Sequence, residues 1–178
     1  MKTRVLGKTG YRVSEVSLGT WQIGGVWGEA FDEEAAIRTV ETALDQGVTF
    51  IDTADVYSGG RSEQAIAEAL RRRGELGRGR VAVATKCGRR LSPHTADGYT
   101  RENLFRFAED SLRNMGLETL DLLQLHCPPT DVYYRPEVFG VMDELKKQGK
   151  IRAYGVSVER VEEALKAIEY SGVATVQI

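Results

Sequence analysis

Short apolar segments alternate with amphipathic segments along this chain, from about residue 15 to its last residue. The amphipathic segments place apolar residues at helical spacing and end at glycines such as Gly74 and Gly116. The apolar segments are typical of buried strands, which we predict at residues 16–18, 48–52, 81–86, 120–126, 151–156 and 173–178. This alternation predicts an α/β fold with a parallel sheet, either a (β/α) barrel or an open doubly wound sheet.

Several residues mark where the predicted helices begin. Asp32 and Thr100 each precede a helical pattern and are suited to cap it, and Ser157 is a plausible cap for a helix through Tyr170. Pro136 suits the first turn of another helix. Ahead of the alternation, residues 4–6 and 12–13 indicate a small N-terminal β-hairpin.

Two glycine patterns that bind phosphates are absent from the places where they would be needed. The turn after the first predicted strand reads Gly19-Thr20-Trp21-Gln22-Ile23-Gly24, which does not fit Gly-x-Gly-x-x-Gly. Gly7-Lys8-Thr9 resembles the end of a phosphate-binding loop, but Lys2 stands where that loop needs its first glycine. The pattern alone leaves the choice between barrel and open sheet open.

The bulk composition limits the classes of function. The chain has 178 residues, 42% hydrophobic and 28% charged, which predicts one globular domain over residues 1–178. A formal charge of −2 and two cysteines indicate neither nucleic-acid binding nor a disulfide framework. There is no apolar run of membrane-spanning length and no apolar signal at the N-terminus. We therefore expect a cytoplasmic protein without a nucleic-acid or membrane partner; its oligomeric state stays open.

Four ionisable side chains end or follow the predicted strands: Asp52, Tyr57, Lys86 and His126. In parallel α/β folds, ligands bind at the carboxyl ends of the strands. A half-buried Lys86 needs a counter-charge, and Asp52 on the neighbouring strand could supply it. A nearby cation would lower the pKa of Tyr57, so that the phenol could give a proton to a carbonyl oxygen that His126 orients. Because none of these groups carries hydride, the set predicts a nicotinamide or flavin cofactor.

Each of these residues also has a simpler interpretation. Taken singly, Asp52 could cap a turn, Tyr57 could be a rim residue, His126 could be structural and Lys86 could reach solvent. Their coincidence at successive strand ends favours a site. Cys87 and Cys127 are expected to be small buried side chains facing the helix layer, and no metal site is predicted. Trp21 and Trp27 fit either the core or a pocket wall.

Several runs of sequence resemble the aldo-keto reductase family. The matching runs are Leu18-Gly19-Thr20-Trp21, Phe50 to Glu63, Ala84-Thr85-Lys86, Asp121 to His126, Gly155-Val156-Ser157 and Val176-Gln177-Ile178. The resemblance implies a TIM-type (β/α)₈ barrel that uses NADPH, less often NADH. It implies that Tyr57 is the general acid, tuned by Lys86 and Asp52, and that His126 orients the carbonyl.

The same resemblance implies the cofactor contacts. The turn Gly19-Thr20-Trp21 and Asp52 would lie near the nicotinamide ribose, and Ser157 and Gln177 would bind the carboxamide. The residue after the serine departs from the family, which usually has Asn where this chain has Val158.

The number of predicted strands is the larger departure from the family. We count six, so the barrel is expected to be truncated and the 178-residue piece alone to bind NADPH poorly. The expected function is reduction of aldehydes or ketones to alcohols, or oxidation of a sugar hydroxyl. The alternatives are a cofactor-sensing regulatory subunit of the same fold and an inactive truncated fragment.

Overall fold

A computed structural model describes residues 1–25 and 30–178 of the chain, and the prediction for Trp27 lies outside the described residues. Its strands are β1 (Thr3–Val5), β2 (Arg12–Ser14), β3 (Leu18–Gly19), β4 (Phe50–Asp52), β5 (Ala82–Cys87), β6 (Leu120–His126), β7 (Ile151–Ser157) and β8 (Val173–Gln177). Its α-helices are α1 (Glu33–Asp45), α2 (Arg61–Arg72), α3 (Arg101–Met115), α4 (Pro136–Lys147) and α5 (Val161–Ala167). Short 3₁₀ turns cover Tyr57–Gly60, Ala96–Gly98 and Thr130–Tyr134.

The sheet is parallel, with strand order β3-β4-β5-β6-β7-β8, and β1 pairs with β2 as an antiparallel hairpin. Both features confirm the sequence prediction. Phe50 in β4 and Gln177 in β8 line the same cavity of about 320 Å³, although three strands separate them. The sheet therefore curls as part of a TIM-type barrel, which decides between the two architectures that the pattern left open.

Alternation along the strands divides the apolar side chains between two cores. Ile51, Leu123 and Val156 belong to the larger core, which the helices cover. Ala84, Leu122 and Ala153 form the smaller core on the inner face of the curl, with Phe50, Leu6 and Ala174 packed against it. The small alanines leave room on this inner face, and the polar side chains of the same face continue beyond them toward the carboxyl ends of the strands.

The helix ends follow the predicted signals in most places. The side chain of Asp32 accepts the N–H of Ala35, Thr100 accepts that of Asn103, and Gly116 ends α3 with φ +63°. Within the described residues, no helix combines the length and the apolar character required to traverse a bilayer.

The start and end of the last helix were predicted wrongly. Ser157 does not cap it, because the residue is still extended in β7, in register with Gln177. The helix begins at Val161, ends at Ala167 and uses Glu163, whose carboxylate accepts the N–H groups of Glu159 and Arg160. The first strand of the sheet is also shifted, to Leu18–Gly19 instead of residues 16–18.

Candidate active site

Lys86 and Asp52 form a buried ion pair on the inner face of the sheet. Asp52 lies opposite Ala84 in the register of β4 and β5, so that Lys86 falls two residues further along the same face. The Lys86 Nζ lies 2.6 Å from Asp52 Oδ1 and donates a second bond of 2.9 Å to the carbonyl of Thr53. The Lys86 side chain is only 2% exposed, which excludes the interpretation that it reaches solvent.

Tyr57 lies on the loop between β4 and α2, close to this ion pair. The loop is held to β5 by two backbone bonds, from Thr53 N to Ala84 O (2.8 Å) and from Asp55 N to Lys86 O (3.0 Å). Beyond them the chain turns sharply, with Ser58 at φ +49°. The turn brings the ring of Tyr57 over Lys86, with 5.2 Å between the Nζ and the ring centroid.

A chain of buried hydroxyl groups joins the two ends of the Tyr57 loop. The Oγ1 of Thr53 and the Oγ of Ser62 are 2.9 Å apart, and Ser62 donates to Thr20 Oγ1 at 2.9 Å. Thr20 donates to the backbone oxygen of Asp52 from both its Oγ1 (2.9 Å) and its N–H (3.0 Å). The Thr20 hydroxyl, which the resemblance placed near the cofactor, is therefore buried and occupied by protein partners.

His126 ends β6 and faces Tyr57. The two ring centroids are 5.8 Å apart and the rings are nearly perpendicular, at 81°. Burial, together with the charges of Lys86, Arg89 and His94, lowers the pKa of His126 to about 3. The imidazole is therefore neutral at neutral pH. Its Nδ1 is buried and has no hydrogen-bond partner among the described residues.

The pKa of Tyr57 differs from the sequence prediction. Burial, together with the charge of Asp52, raises it to about 12 against the opposing charge of Arg89. The expected lowering was wrong because burial disfavours the charged phenolate and the carboxylate of Asp52 adds to that effect. Tyr57 is therefore a protonated phenol at neutral pH.

Polar side chains of β6 and β8 continue the site along the inner face. Gln124 donates to Gln177 Oε1 at 3.2 Å and accepts the hydroxyl of Thr175 at 3.0 Å. Sequence analysis missed Gln124 and Thr175. The signal for Gln124 was its position in a strand of leucines, two residues before His126 and hence on the same face. Asp52, Gln124 and Gln177 together line the cavity of about 320 Å³.

The two cysteines at the edge of the site differ in how well they match the prediction. Cys87 lies in the helix-side core, as predicted. Cys127 does not: its φ is +43°, it is half-buried, and its Sγ lies 3.2 Å from Ser157 Oγ, because the strand has already ended at His126. Trp21 is 60% exposed and so is not part of the core. Over residues 1–25 and 30–178, no cluster of three side chains could hold a metal.

The amide groups at the strand ends can be tested for fit to a nicotinamide. Gln177 uses its Oε1 within the protein, and its Nε2 donates to no other described residue. Ser157 lies beside it in the register and adds a hydroxyl group. A carboxamide needs both a donor and an acceptor, and these two side chains provide them. The donor set therefore fits the group.

Comparisons with known proteins agree with this geometry. Residues 15–178 match the model of the aldo/keto reductase family. Aldo-keto reductase YhdN of Bacillus subtilis is 38% identical over 172 residues, which cover 92% of this chain and 49% of YhdN. The holo form of aldo-keto reductase AKR11C1 from Bacillus halodurans superposes with a TM-score of 0.82 at 30% identity, covering 99% of this chain and 56% of that one. An aldo-keto reductase from Klebsiella pneumoniae in complex with NADPH gives a TM-score of 0.79 at 26% identity, with coverages of 100% and 58%. The chain thus spans about half the length of these relatives.

Proposed function

This chain belongs to the aldo/keto reductase family, and from that premise we propose that it reduces aldehydes or ketones to alcohols, or oxidises a sugar hydroxyl in the reverse direction. The observation that carries the proposal is the placement of Tyr57 over the Lys86–Asp52 ion pair with His126 facing it. We propose NADP(H) as the cofactor, with NAD(H) as the alternative, by analogy with the Klebsiella protein.

Tyr57 is the proposed proton donor to the carbonyl oxygen. A bound nicotinamide would supply the hydride, and the carbonyl oxygen would then gain negative charge. An alkoxide is about as basic as hydroxide, so its conjugate alcohol is about as weak an acid as water. A phenol with a pKa of about 12 is a much stronger acid than that, so Tyr57 gives up its proton as the charge forms.

Lys86 stabilises the phenolate that remains on Tyr57 after the transfer. Its ammonium is held in place by Asp52 Oδ1 and the carbonyl of Thr53, so that its charge does not need to reorganise during the reaction. Asp52 supplies the counter-charge that the buried ammonium needs. The pair therefore acts most strongly after the phenol has lost its proton.

His126 is proposed to orient the carbonyl. A neutral imidazole carries one N–H and can donate it to the oxygen that Tyr57 protonates. Because the ring is neutral, it polarises the carbonyl without competing with Tyr57 as the acid.

The residues proposed to contact the cofactor lie at or next to the carboxyl ends of the strands. Ser157 and Gln177 would hold the carboxamide, and Asp52 with the turn Gly19-Thr20-Trp21 would lie beside the ribose. Thr20 would contribute through its backbone and not its hydroxyl. Val158 offers no side-chain amide, and its N–H already donates to Gln177 O at 2.8 Å, which fixes Gln177 from the backbone side.

The test is consumption of NADPH or NADH with a panel of aldehydes, ketones and sugars, followed through the absorbance of the reduced nicotinamide. Tyr57→Phe should lower turnover by roughly 10²–10⁴-fold and leave NADPH affinity nearly unchanged. Tyr134→Phe, at an exposed tyrosine, is the matched control and should retain activity. Turnover that survives Tyr57→Phe would remove Tyr57 from the acid role. Tight NADPH binding without turnover of any carbonyl would favour the cofactor-sensing alternative.

A further inference from the structure

Asp55 has a buried carboxylate that the proposed mechanism does not use. Its side chain is 0% exposed, and neither of its oxygens has a hydrogen-bond partner among the described residues. Buried carboxylates are normally paired and hydrogen-bonded, because an isolated buried charge costs several kcal/mol. Its nearest cation is the Arg90 guanidinium, with 3.7 Å between Nη1 and Asp55 Oδ2.

Arg90 lies between two carboxylates and bonds fully to only one of them. It donates to Asp110 Oδ2 at 2.9 Å, and Asp110 is also paired with Arg113. These groups and Asn114 line a cavity of about 410 Å³ that opens beside Asp55. Asp110 already has a second guanidinium, so Arg90 can move toward Asp55 without leaving Asp110 unpaired.

Other groups around Asp55 make its ionised state costly. Glu63 of α2 is also buried, and its carboxylate accepts Thr85 Oγ1 at 2.6 Å and Asn114 Nδ2 at 2.7 Å. The thiol of Cys87, on β5, is buried nearby. An ionised Asp55 therefore meets a second acid, and Arg90 is the cation that can compensate it.

Asp55 and Tyr57 belong to the same loop. Asp55 lies two residues before Tyr57, and its own N–H donates to the carbonyl of Lys86. Arg90 lies in a turn closed by a bond from Leu91 N to Gly88 O at 3.1 Å. The preceding residue of that turn is Arg89, whose charge acts on both Tyr57 and His126. An Asp55–Arg90 contact would therefore join the Tyr57 loop to the turn that carries Arg89.

We propose that Asp55 is a positioning residue: its ionised carboxylate draws Arg90 from Asp110 and fixes the Tyr57 loop against the Gly88–Leu91 turn, and protonation releases this contact. The inference rests on the proposed function only for its kinetic readout. At low pH a neutral Asp55 leaves Arg90 with Asp110, and the Tyr57 loop keeps only its backbone bonds and the hydroxyl chain at its ends.

The transition falls in a range that separates it from the neighbouring groups. Burial, together with the charges of Glu63 and Asp110, raises the pKa of Asp55 to about 7 against the opposing charge of Arg90. The pKa of His126 is about 3, that of His94 lies below its usual 6.5, and that of the Cys87 thiol is well above its usual range. A transition near pH 7 at Tyr57 would therefore report on Asp55.

The experiment is a pH titration of the protein labelled with ¹³Cζ-tyrosine, followed by NMR, with the Tyr57 resonance assigned by its loss in Tyr57→Phe. We expect this resonance to shift with a midpoint near pH 7 and to lose that transition in Asp55→Asn. Asp110→Asn, the matched control, should keep the transition at a lower midpoint, because it removes a neighbouring negative charge. Arg90→Gln should move the midpoint above 7, since the compensating cation is gone.

Kinetics provides a second measurement. As the pH falls from 8 to 6, kcat/KM should drop several-fold in the wild-type protein and stay at the low value throughout in Asp55→Asn. A Tyr57 resonance without a transition near pH 7, or one that keeps it in Asp55→Asn, would overturn the proposal. If no carbonyl is turned over by any variant, the proposed function fails, and the resonance titration still decides the role of Asp55.

Discussion

Asp55 and His126 should make opposing contributions to the pH dependence of stability. Both are buried and both carry shifted pKa values, but one is an acid and the other a base. Stability changes with pH wherever the folded and unfolded chains bind different numbers of protons. We therefore replace each group in turn by a side chain that does not titrate, with Asp55→Asn and His126→Gln. The free energy of unfolding is then measured at pH 4.5 and 6.5.

The Asp55 contribution falls as the pH rises. Its folded pKa is raised from 3.8 to about 7, so its contribution is full below 3.8 and is lost as the pH rises through 7. Between pH 4.5 and 6.5 the unfolded chain has released this proton and the folded chain has kept it. Each pH unit is worth ~1.36 kcal/mol, so the two-unit window removes about 3 kcal/mol.

The His126 contribution rises over the same window. Its folded pKa is lowered from 6.5 to about 3, so its contribution is full above 6.5 and is lost as the pH falls through 3. Because the ring is only half-buried, solvent screens part of this effect. We therefore expect the contribution of His126 to the free energy of unfolding to increase by about 2 kcal/mol from pH 4.5 to 6.5. The two contributions nearly cancel in the wild-type protein.

Urea unfolding at the two pH values measures these slopes. Relative to wild type, Asp55→Asn should gain about 3 kcal/mol of stability on going from pH 4.5 to 6.5, and His126→Gln should lose about 2 kcal/mol. Taking the difference from wild type cancels the contribution of ordinary surface carboxylates. If Asp55→Asn has the same pH dependence as the wild-type protein, the buried, protonated state of Asp55 is refuted.

Three further substitutions test the packing of the site and the fold. Lys86→Met should destabilise the protein by about 3–5 kcal/mol in urea unfolding, since it leaves Asp52 without its cation. Gly155→Ala should lower the melting temperature and weaken cofactor binding, because its new Cβ would collide with the Thr175 side chain; an unchanged melting temperature would contradict the register of β7 and β8. Asp32→Ala should cost about 1 kcal/mol in urea unfolding through the lost helix cap, and Asp32→Asn, which keeps the cap, should not.

Local patterns were sufficient to predict the alternating strands and helices and the parallel sheet, whereas the barrel was implied only by the resemblance to the family. Strand alternation, the caps Asp32 and Thr100 and the αL glycine at position 116 each depend on a few neighbouring residues, which the sequence displays directly. The Lys86–Asp52 pair was also predictable, because side chains two residues apart on a strand share a face. The roles of Tyr57 and His126 in catalysis stay a proposal.

The remaining features depend on how distant segments meet. The pKa of Tyr57 is raised by burial and by the charge of Asp52, and the extent of that burial does not follow from sequence spacing. Asp55 looks like an ordinary loop acid until α2, α3 and β5 close around it. Ser157 stays in its strand because β8 pairs with it, and a contact between strands 20 residues apart overrides its local preference for a cap.

The hydroxyl chain through Thr20, Ser62 and Thr53 determines how the Tyr57 loop can change. The hydroxyl groups at the two ends of the loop are 2.9 Å apart, and the start of the loop is hydrogen-bonded to β5. The loop is therefore fixed at both ends and has a defined length. We expect a residue inserted into this loop to move the Tyr57 ring away from the Lys86 ammonium. Variation in what the protein accepts as substrate must therefore come from other loops, such as those after β5 and β6, while this one stays constant in length.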